Sequence, residues 1–164
     1  MPDGMQASRA AGRRRCWALT SILRRLRRSE DGNREVTKTD AEWGAQLTPQ
    51  QYHVLRRHGT EAPFSGPALR SDADGMYRCG GCSATLFRAD TAFDPGTGWP
   101  SFGDAEHEHV ELRRDLRMGI PRTEVRCRRC GGHLGHVFND GPGPTGKRYC
   151  VNACALAPPD GAAC

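Results

Sequence analysis

Two tight cysteine pairs, Cys79-Gly80-Gly81-Cys82 and Cys127-Arg128-Arg129-Cys130, are separated by 44 residues in this chain of 164 residues. Each pair places two thiols on one turn, and four thiolates form a closed tetrahedral set, which is typical of a structural zinc site. The sequence therefore predicts one structural Zn²⁺ per chain. A redox-active pair and buried free thiols are alternatives, but Gly-Gly and Arg-Arg between the cysteines favour metal-binding turns.

Two histidines follow the second pair at once, in His133-Leu134-Gly135-His136. Only two residues separate Cys130 from His133, whereas a Cys₂His₂ zinc finger needs about a dozen there. In a strand, residues three apart face opposite sides, so both histidines reach one site only if Gly135 bends the backbone. Each histidine alone is more typical of a structural residue, but the pair favours a functional role because an unpaired cysteine accompanies it.

That cysteine, Cys150, stands outside both pairs, in the stretch Gly146-Lys147-Arg148-Tyr149-Cys150-Val151-Asn152. Basic neighbours stabilise a thiolate, which is the reactive form of cysteine, so the stretch predicts thiol chemistry. The proline-stiffened loop Asn139–Gly146 before it is either an ordinary hairpin connection or the support of a pocket. The turn Gly96–Phe102 presents Trp99, which is either a core residue or an aromatic wall for a methylthio group.

The length suits one domain with a real core, and 20 Gly and 11 Pro predict a fold rich in turns. The net charge of +5 is concentrated at one end, since residues 1–34 hold nine Lys or Arg and three Asp or Glu. The rest of the chain is nearly neutral. We therefore expect a basic tail and not a nucleic-acid-binding face.

Residues 1–34 are expected to lie outside the fold, which leaves a domain at 35–157 and a flexible tail at 158–164. The only apolar stretch of the basic segment, Cys16–Leu23, is too short to span a membrane, and no cleavage site follows it. A disordered tail and an organellar transit peptide both fit. Without a secretory signal, the cysteines indicate a reducing compartment, so we expect a cytoplasmic protein or, alternatively, an organellar one. A monomer is the default expectation.

Two helix starts and a series of short alternating segments organise the domain. The capping boxes Thr39-Asp40-Ala41-Glu42 and Thr48-Pro49-Gln50-Gln51 predict two short helices, the second of which ends at Gly59. Beyond Gly75 the alternation predicts antiparallel strands on which the helices pack. The predicted strands are Met76–Cys79, Thr85–Phe87, Val110–Arg114, Thr123–Cys127, His133–Phe138 and Arg148–Asn152.

Taken together and in order, these motifs resemble those of the type B methionine sulfoxide reductases. The resemblance covers about Val36 to Leu156 and implies a mainly β (α+β) fold of two antiparallel twisted sheets with short N-terminal helices. It also implies a Cys₄ zinc site on the side away from the active site. The matching motifs are Gly59-Thr60-Glu61, Pro63-Phe64, the two cysteine pairs, Gly98–Phe102, Arg122–Val125, His133–Phe138, Asp140-Gly141-Pro142 and Arg148–Asn152.

The resemblance implies reduction of the R epimer of methionine sulfoxide, mainly in proteins. Cys150 takes the position of the nucleophile, Arg148 lies beside its thiolate, and Asn152 orients the site. His133 and His136 take the positions that deliver a proton to the sulfoxide oxygen, since histidine supplies protons most readily near neutral pH. The products are methionine and a sulfenic acid on Cys150.

For the substrate, the resemblance implies that Trp99 receives the methyl group, with Phe138 alongside. The chain departs from the family's pattern at two places, of which the first concerns recycling of the enzyme and the second the packing near the site. Position 97 is Thr where many members carry a resolving cysteine, and Ala153-Cys154 replaces the usual serine and the residue after it. Direct reduction of Cys150 by thioredoxin or another thiol is therefore expected, with Cys154 and Cys164 as alternative resolving thiols.

Two other classes of protein compete with this interpretation. A non-catalytic zinc ribbon that binds protein or nucleic acid explains the cysteine pairs, but not Trp99, the histidine pair or Cys150. A general thiol-disulfide oxidoreductase would use one of the cysteine pairs as its redox centre. The zinc content of the protein distinguishes this class, because sulfurs that ligate zinc are not available for exchange.

Overall fold

A computed structural model of the protein describes residues 34–67 and 69–158. The predicted basic segment at 1–34 and the predicted tail at 158–164 lie almost entirely outside these ranges, as does Cys164, so the predictions about them stay predictions. Within the described ranges, no helix is long and apolar enough to cross a membrane.

Both predicted helices are present, α1 at Asp40–Gln46 and α2 at Pro49–Arg57. Each begins with a complete capping box, because the Thr39 and Thr48 hydroxyls accept backbone N–H groups three residues on and the side chains there accept in return. The predicted stop at Gly59 is one residue late. His58 takes the left-handed conformation, with φ of 57°, that ends α2.

The strands form two sheets, and all neighbours in each sheet are antiparallel, so the predicted architecture of two antiparallel sheets with short helices is confirmed. The smaller sheet pairs β1 (Met76–Arg78) with β2 (Thr85–Arg88). The larger sheet has the order β3-β4-β8-β7-β6-β5. Its strands are β3 (Ala92–Phe93), β4 (Ser101–Phe102), β5 (Val110–Asp115), β6 (Arg122–Cys127), β7 (His133–Phe138) and β8 (Arg148–Val151).

The six strands expected from the sequence are all found, within one residue at each end. Strands β3 and β4 were not expected, because two residues are too few to show alternation. They matter nonetheless, since β4 lies next to β8 and places Ser101 opposite Cys150.

The larger sheet has one apolar and one polar face. Phe102, Val125, Tyr149 and Val151 are at most 2% exposed and belong to the core, where Phe87 of β2 stacks on Phe102 at 4.4 Å between ring centroids. Because side chains alternate along a strand, the residues between them face the other side. On that side, five residues paired across neighbouring strands form one row, and they are Ser101, Cys150, His136, Glu124 and Arg113.

An extra residue in β7 changes the expected position of the histidines. Strand β6 pairs Val125 with Gly135 and Arg126 with His133, so Leu134 is the bulged residue. The bulge brings His133 to the same face as His136. Gly135 contributes in a different way from the expected bend, because a Cβ there would lie 2.0 Å from the Cys150 carbonyl oxygen. Strands β7 and β8 approach closely only because this residue has no side chain.

We expect opposite effects from adding a methyl group at two glycines. Gly135→Ala should lower the free energy of unfolding by about 2–3 kcal/mol, because the backbone of β8 must move. Gly44→Ala, in α1 and with nothing within 4 Å of the added atom, should raise it by about 0.5–1 kcal/mol. Urea unfolding followed by circular dichroism measures both free energies of unfolding. Equal changes in the two variants would contradict the close approach of β7 and β8 at Gly135.

Candidate active site

The four paired cysteines meet at one point. The Sγ atoms of Cys79 and Cys130 are 3.7 Å apart, those of Cys82 and Cys127 are 3.5 Å apart, and all four lie within 4.8 Å of one another. A tetrahedral zinc ion with Zn–S bonds of about 2.3 Å separates its sulfurs by about 3.8 Å, so the cluster fits such an ion. Hydrogen bonds from the Cys127 and Cys79 thiols hold the pKa of Cys130 well below its usual range.

Local backbone geometry makes this cluster. The N–H of Ser83 donates to the carbonyl of Cys79 and that of Gly131 donates to the carbonyl of Cys127, so each pair sits in a tight turn. Ser83 and Gly131 close these turns in the left-handed region, with φ of 60° and 74°. By alternation along β6, Cys127 faces the apolar side of the sheet, opposite to the face that carries Cys150.

Cys150 is half-buried on the polar face, between Ser101 on β4 and His136 on β7. Burial raises the pKa of its thiol, whereas the charge of Arg148 and a hydrogen bond from Ser101 act to lower it. Burial wins. The arginine expected to stabilise the thiolate is therefore present, but it only reduces the cost of ionising this thiol.

Arg148 is held by two neighbours. Its Nε and Nη2 each donate to the Asp140 carboxylate at 2.9 Å, and its guanidinium lies 4.6 Å from the centre of the Phe138 ring. Hydrogen bonding to Asp140 raises the pKa of Arg148, and the pKa of Asp140 is lowered in turn. Phe138 pairs with Arg148 across the β7–β8 ladder and is 38% exposed. It therefore lies at the rim of the site, beside a fixed positive charge.

Each histidine is anchored by a buried carboxylate. His133 is buried and its Nδ1 lies 2.6 Å from Glu124, whereas Nε2 of His136 lies 2.8 Å from Asp115. The centroids of the two rings are 5.4 Å apart. The histidines are thus brought together on the face of Cys150, and the carboxylates set their orientation.

Glu124 is the centre of a larger network. It also meets Nδ1 of His58 at 2.7 Å and Nη2 of Arg117 at 3.2 Å. Burial opposes ionisation of Glu124, but hydrogen bonds from His133 and His58 outweigh it and hold its pKa well below the usual range. Burial lowers the pKa of His133 by more than the hydrogen bond to Glu124 raises it, so the net pKa is lowered. The pair at neutral pH is an ionised carboxylate and a neutral imidazole.

The same balance holds at Asp115. Burial opposes its ionisation, but the backbone N–H of Arg117 and the ring of His136 donate hydrogen bonds to it, and Arg117 and Arg122 add positive charge. These interactions lower the pKa of Asp115 to about 2. Both anchoring carboxylates therefore remain charged throughout the range in which a histidine titrates.

Glu61 connects Asn152 with Trp99. Its N–H donates to Oδ1 of Asn152 at 3.0 Å, and its carbonyl accepts Nε1–H of Trp99 at 3.1 Å. Its buried carboxylate accepts the N–H groups of Ala153 and Cys154. The Asn152 side chain also donates to the Leu134 carbonyl at 2.8 Å. Asn152 and Trp99, which the sequence assigned to separate roles, are therefore positioned by one buried segment.

A cavity of about 600 Å³ lies beside Trp99, and Phe64, Phe93 and Tyr77 are among the residues that line it. Phe64 is 79% exposed, has φ of 62° and donates its N–H to the Gly98 carbonyl. A Cβ on Gly98 would lie 2.7 Å from the Phe64 ring. Aromatic side chains from two loops and from strands β1 and β3 thus form an apolar hollow next to the row that contains Cys150.

Several residues of the site were missed in the sequence. Ser101 and Glu61 stand within recognised motifs, but no role was assigned to them. Glu124 and Asp115 alternate with neighbours along strands, a pattern typical of a solvated face, and only the structure reveals their burial. Cys154, which the sequence analysis named as an alternative resolving thiol, follows Asn152 by two residues. A 3₁₀ helix, Ala153–Ala155, follows there, and Cys154 is fully buried in it.

Fold and site together define a β-rich domain that carries, on one side of its main sheet, a cluster of four cysteines with the spacing of metal ligands. A separate cysteine, flanked by histidine and serine, lies on the other side. The model of the SelR domain family matches residues 47–158, more than half of the chain. The chain therefore belongs to the SelR domain family, that of the type B methionine sulfoxide reductases.

Curated relatives support this assignment over most of their length. The chain is 57% identical to the peptide methionine sulfoxide reductase MsrB of Agrobacterium fabrum, over 74% of this chain and 91% of the relative. It is 54% identical to the protein of the same name from Leifsonia xyli, over 76% of this chain and 91% of the relative. It is 53% identical to the protein of the same name from Methanosarcina barkeri, over 74% of this chain and 86% of the relative.

Removing the positive charge beside Cys150 should make its thiol a weaker acid. Arg148→Ala should raise the pKa of Cys150 further, because in the parent protein the charge of Arg148 partly offsets the effect of burial. Alkylation of Cys150 by iodoacetamide at neutral pH should therefore be slower in this variant. The control is Lys147→Ala, which removes a positive charge from the residue before Arg148, one whose ammonium group donates to Asn139. It should leave the dependence of the alkylation rate on pH unchanged. A profile unchanged in Arg148→Ala would show that the guanidinium does not act on the thiol.

Proposed function

We propose that this protein reduces the R epimer of methionine sulfoxide, mainly in peptides and proteins, to methionine, and thereby repairs oxidised proteins. Family membership supports the activity. The observation that carries the proposed mechanism is the alignment of Ser101, Cys150 and His136 on three neighbouring strands, which places a thiol between a hydroxyl and an imidazole.

In the proposed reaction, the Cys150 thiolate attacks the sulfoxide sulfur while the sulfoxide oxygen takes up a proton. The sulfur–oxygen bond of the substrate breaks, methionine is released, and the oxygen ends on Cys150 as a sulfenic acid. The substrate sulfur gains two electrons and Cys150 loses two, so the step is balanced without another cofactor.

The two histidines have different places in this scheme. His136 lies directly opposite Cys150 and is hydrogen-bonded to an ionised carboxylate, which suits it to deliver a proton to the sulfoxide oxygen. Neutral His133 donates its Nδ1 proton to Glu124, so its Nε2 is free of a proton. Because burial keeps Cys150 protonated, a base is needed, and Nε2 of His133 is suited to receive the thiol proton.

Trp99 and Phe138 are the proposed contacts for the substrate side chain. The indole of Trp99 is fixed by its hydrogen bond to Glu61 and offers an apolar wall for the methyl group. Phe138 lies at the opposite rim under Arg148. Asn152 orients the site through its bonds to Leu134 and Glu61, and does not itself carry charge or protons in the reaction.

Replacing the nucleophile tests the proposal directly. Cys150→Ser should abolish reduction of methionine R-sulfoxide, because serine has nearly the same volume but is a far weaker nucleophile at neutral pH. The assay follows NADPH consumption with thioredoxin and its reductase. Metal content and melting temperature should stay close to those of the parent protein. More than trace turnover in this variant would assign the chemistry to another cysteine.

The four-cysteine cluster is proposed to hold one structural Zn²⁺. Bound there, zinc supplies a cross-link between the turn after β1 and the turn after β6, and it leaves no open coordination position for substrate. Cys79 and Cys127 are fully buried beneath the N-terminal helices, so loss of the ion would expose or misplace core side chains.

Cys130→Ser should therefore lose both the metal and the fold, because a closed thiolate site contributes folding free energy on the order of 10 kcal/mol. Elemental analysis and circular dichroism measure the two losses without reference to activity. Cys150→Ser is the matched control and should retain one zinc per chain. A folded, active parent protein that contains no zinc would refute this part of the proposal.

For recycling, we propose that thioredoxin or a small thiol reduces the Cys150 sulfenic acid directly. Thr97 has no thiol, and its hydroxyl is buried without a hydrogen-bond partner among the described residues. Cys154 has no exposed surface, and its backbone N–H is held by Glu61, so the 3₁₀ helix would have to unwind before its sulfur could react. Cys164, outside the described residues, is the remaining alternative.

A double variant, Cys154→Ser with Cys164→Ser, separates these routes. With thioredoxin recycling, it should sustain many turnovers at the parental rate. Thr97→Cys is the positive control, because the family resemblance implies a resolving cysteine at this position, and it should give an intramolecular disulfide after one turnover. A double variant that stalls after a single turnover would identify one of the two cysteines as the resolving thiol.

A further inference from the structure

A third histidine, His58, reaches the candidate active site from the end of α2. It ends this helix in the left-handed conformation, and its side chain is 28% exposed. The centre of its ring lies 5.4 Å from that of the His133 ring. No step of the proposed reaction uses His58, although it is as close to Glu124 as a catalytic histidine would be.

His58 and His133 share a single oxygen atom. The Nδ1 atoms of His58 and His133 lie 2.7 and 2.6 Å from the same Oε1 of Glu124. The other carboxylate oxygen, Oε2, accepts from Nη2 of Arg117 at 3.2 Å. An ionised carboxylate only accepts hydrogen bonds, so both rings carry a proton on Nδ1 and donate to one oxygen. The single charge of Glu124 is therefore divided between two rings.

This division weakens the effect of Glu124 on His133. A carboxylate stabilises the imidazolium form of a histidine that is hydrogen-bonded to it. The positive end of the His58 N–H, close to the same oxygen, reduces the negative potential that Glu124 creates at His133. Burial lowers the pKa of His133, and the charges of His58 and His136 act in the same direction, against the raising effect of Glu124.

Other ionisable groups near His133 are engaged elsewhere. Arg126, which pairs with His133 across the β6–β7 ladder, donates to the Gly131 carbonyl at 2.7 Å. The ring of His136 is hydrogen-bonded to Asp115. The remaining neighbours on adjacent segments are Glu61, whose carboxylate accepts two backbone N–H groups, and Cys150, whose pKa is raised by burial. His58 is therefore the residue that divides the hydrogen bonding of Glu124 Oε1 with His133.

We infer that His58 is a positioning residue of the reaction. It shares the Glu124 oxygen with His133 and so limits the pull of this carboxylate on the His133 proton, which keeps the His133 ring neutral and ready to accept the proton of Cys150. This inference rests on the proposed function, in which Nε2 of His133 receives that proton. His58 acts through Glu124 and not on the substrate.

Two substitutions separate the hydrogen-bond donor of His58 from its ring. His58→Phe keeps an aromatic ring against His133 but has no N–H. His58→Asn has no ring, but its amide offers an N–H near the position of Nδ1, and asparagine tolerates the left-handed conformation of residue 58. The control is His107→Phe, which removes an exposed histidine whose Nε2 lies 3.2 Å from Asp104, outside this network.

The first measurement is the titration of the His133 ring by NMR in protein labelled at histidine, with His133→Gln to assign the signal. In His58→Phe, the His133 ring should take up its proton at a higher pH than in the parent protein, because Glu124 then acts on His133 alone. His58→Asn and His107→Phe should titrate like the parent. An unchanged or lower titration in His58→Phe, or equal shifts in His58→Phe and His58→Asn, would overturn the inference.

The second measurement is the pH profile of kcat/KM for N-acetyl-methionine-R-sulfoxide amide. A base must be neutral to act, so His58→Phe should lower kcat/KM about tenfold on the acidic side and change it less than about twofold on the alkaline side. His58→Asn should follow the parent profile. An equal loss at every pH would show a merely structural role and overturn the inference. If the parent protein does not reduce this substrate, the proposed function has failed, whereas the titration of His133 still decides whether His58 acts on it.

Discussion

The arrangement of the site depends on the carbonyl group of Leu134, which accepts two hydrogen bonds from Asn152. The backbone N–H of Asn152 donates at 2.9 Å and its side-chain amide donates at 2.8 Å. Because this carbonyl belongs to the bulged residue, these bonds hold the bulge that turns His133 toward the face of His136 and Cys150. The side-chain oxygen of Asn152 accepts a hydrogen bond from the N–H of Glu61, and the carbonyl of Glu61 in turn accepts one from the indole N–H of Trp99. One buried amide thus aligns the proposed nucleophile, proton carriers and methyl-binding wall.

Around this framework, charge is placed by buried carboxylates. Glu124 and Asp115 are each at most 5% exposed and are ionised, because histidine and arginine donors outweigh the cost of burial. An ionised carboxylate fixes the orientation of each ring and favours a proton on the nitrogen that faces it. Cys150 has a different environment, since burial outweighs its single arginine. The site therefore provides ready proton carriers beside a thiol that must be activated.

Much of the fold could be predicted because its signals are local. Capping boxes mark both helices, and alternation marks every strand of four residues or more, while the two-residue strands at Ala92 and Ser101 leave no pattern. The candidate site was only partly predictable. Cysteine spacing and the residues around Cys150 are visible in the sequence. In contrast, the network of His58, Glu124 and Asp115 depends on which strand lies beside which, and on a bulge that shifts the register by one residue.

The central claim is that Cys150, and no other cysteine, accepts the oxygen of the substrate. Mass spectrometry of the protein after one equivalent of methionine R-sulfoxide, without a reductant and with a trap for sulfenic acid, tests this most directly. The account predicts one trapped oxidation that maps to Cys150, release of one methionine per chain, and four cysteines of the metal cluster that remain unmodified. Trapped oxidation at Cys79, Cys82, Cys127 or Cys130, with Cys150 unmodified, would contradict it.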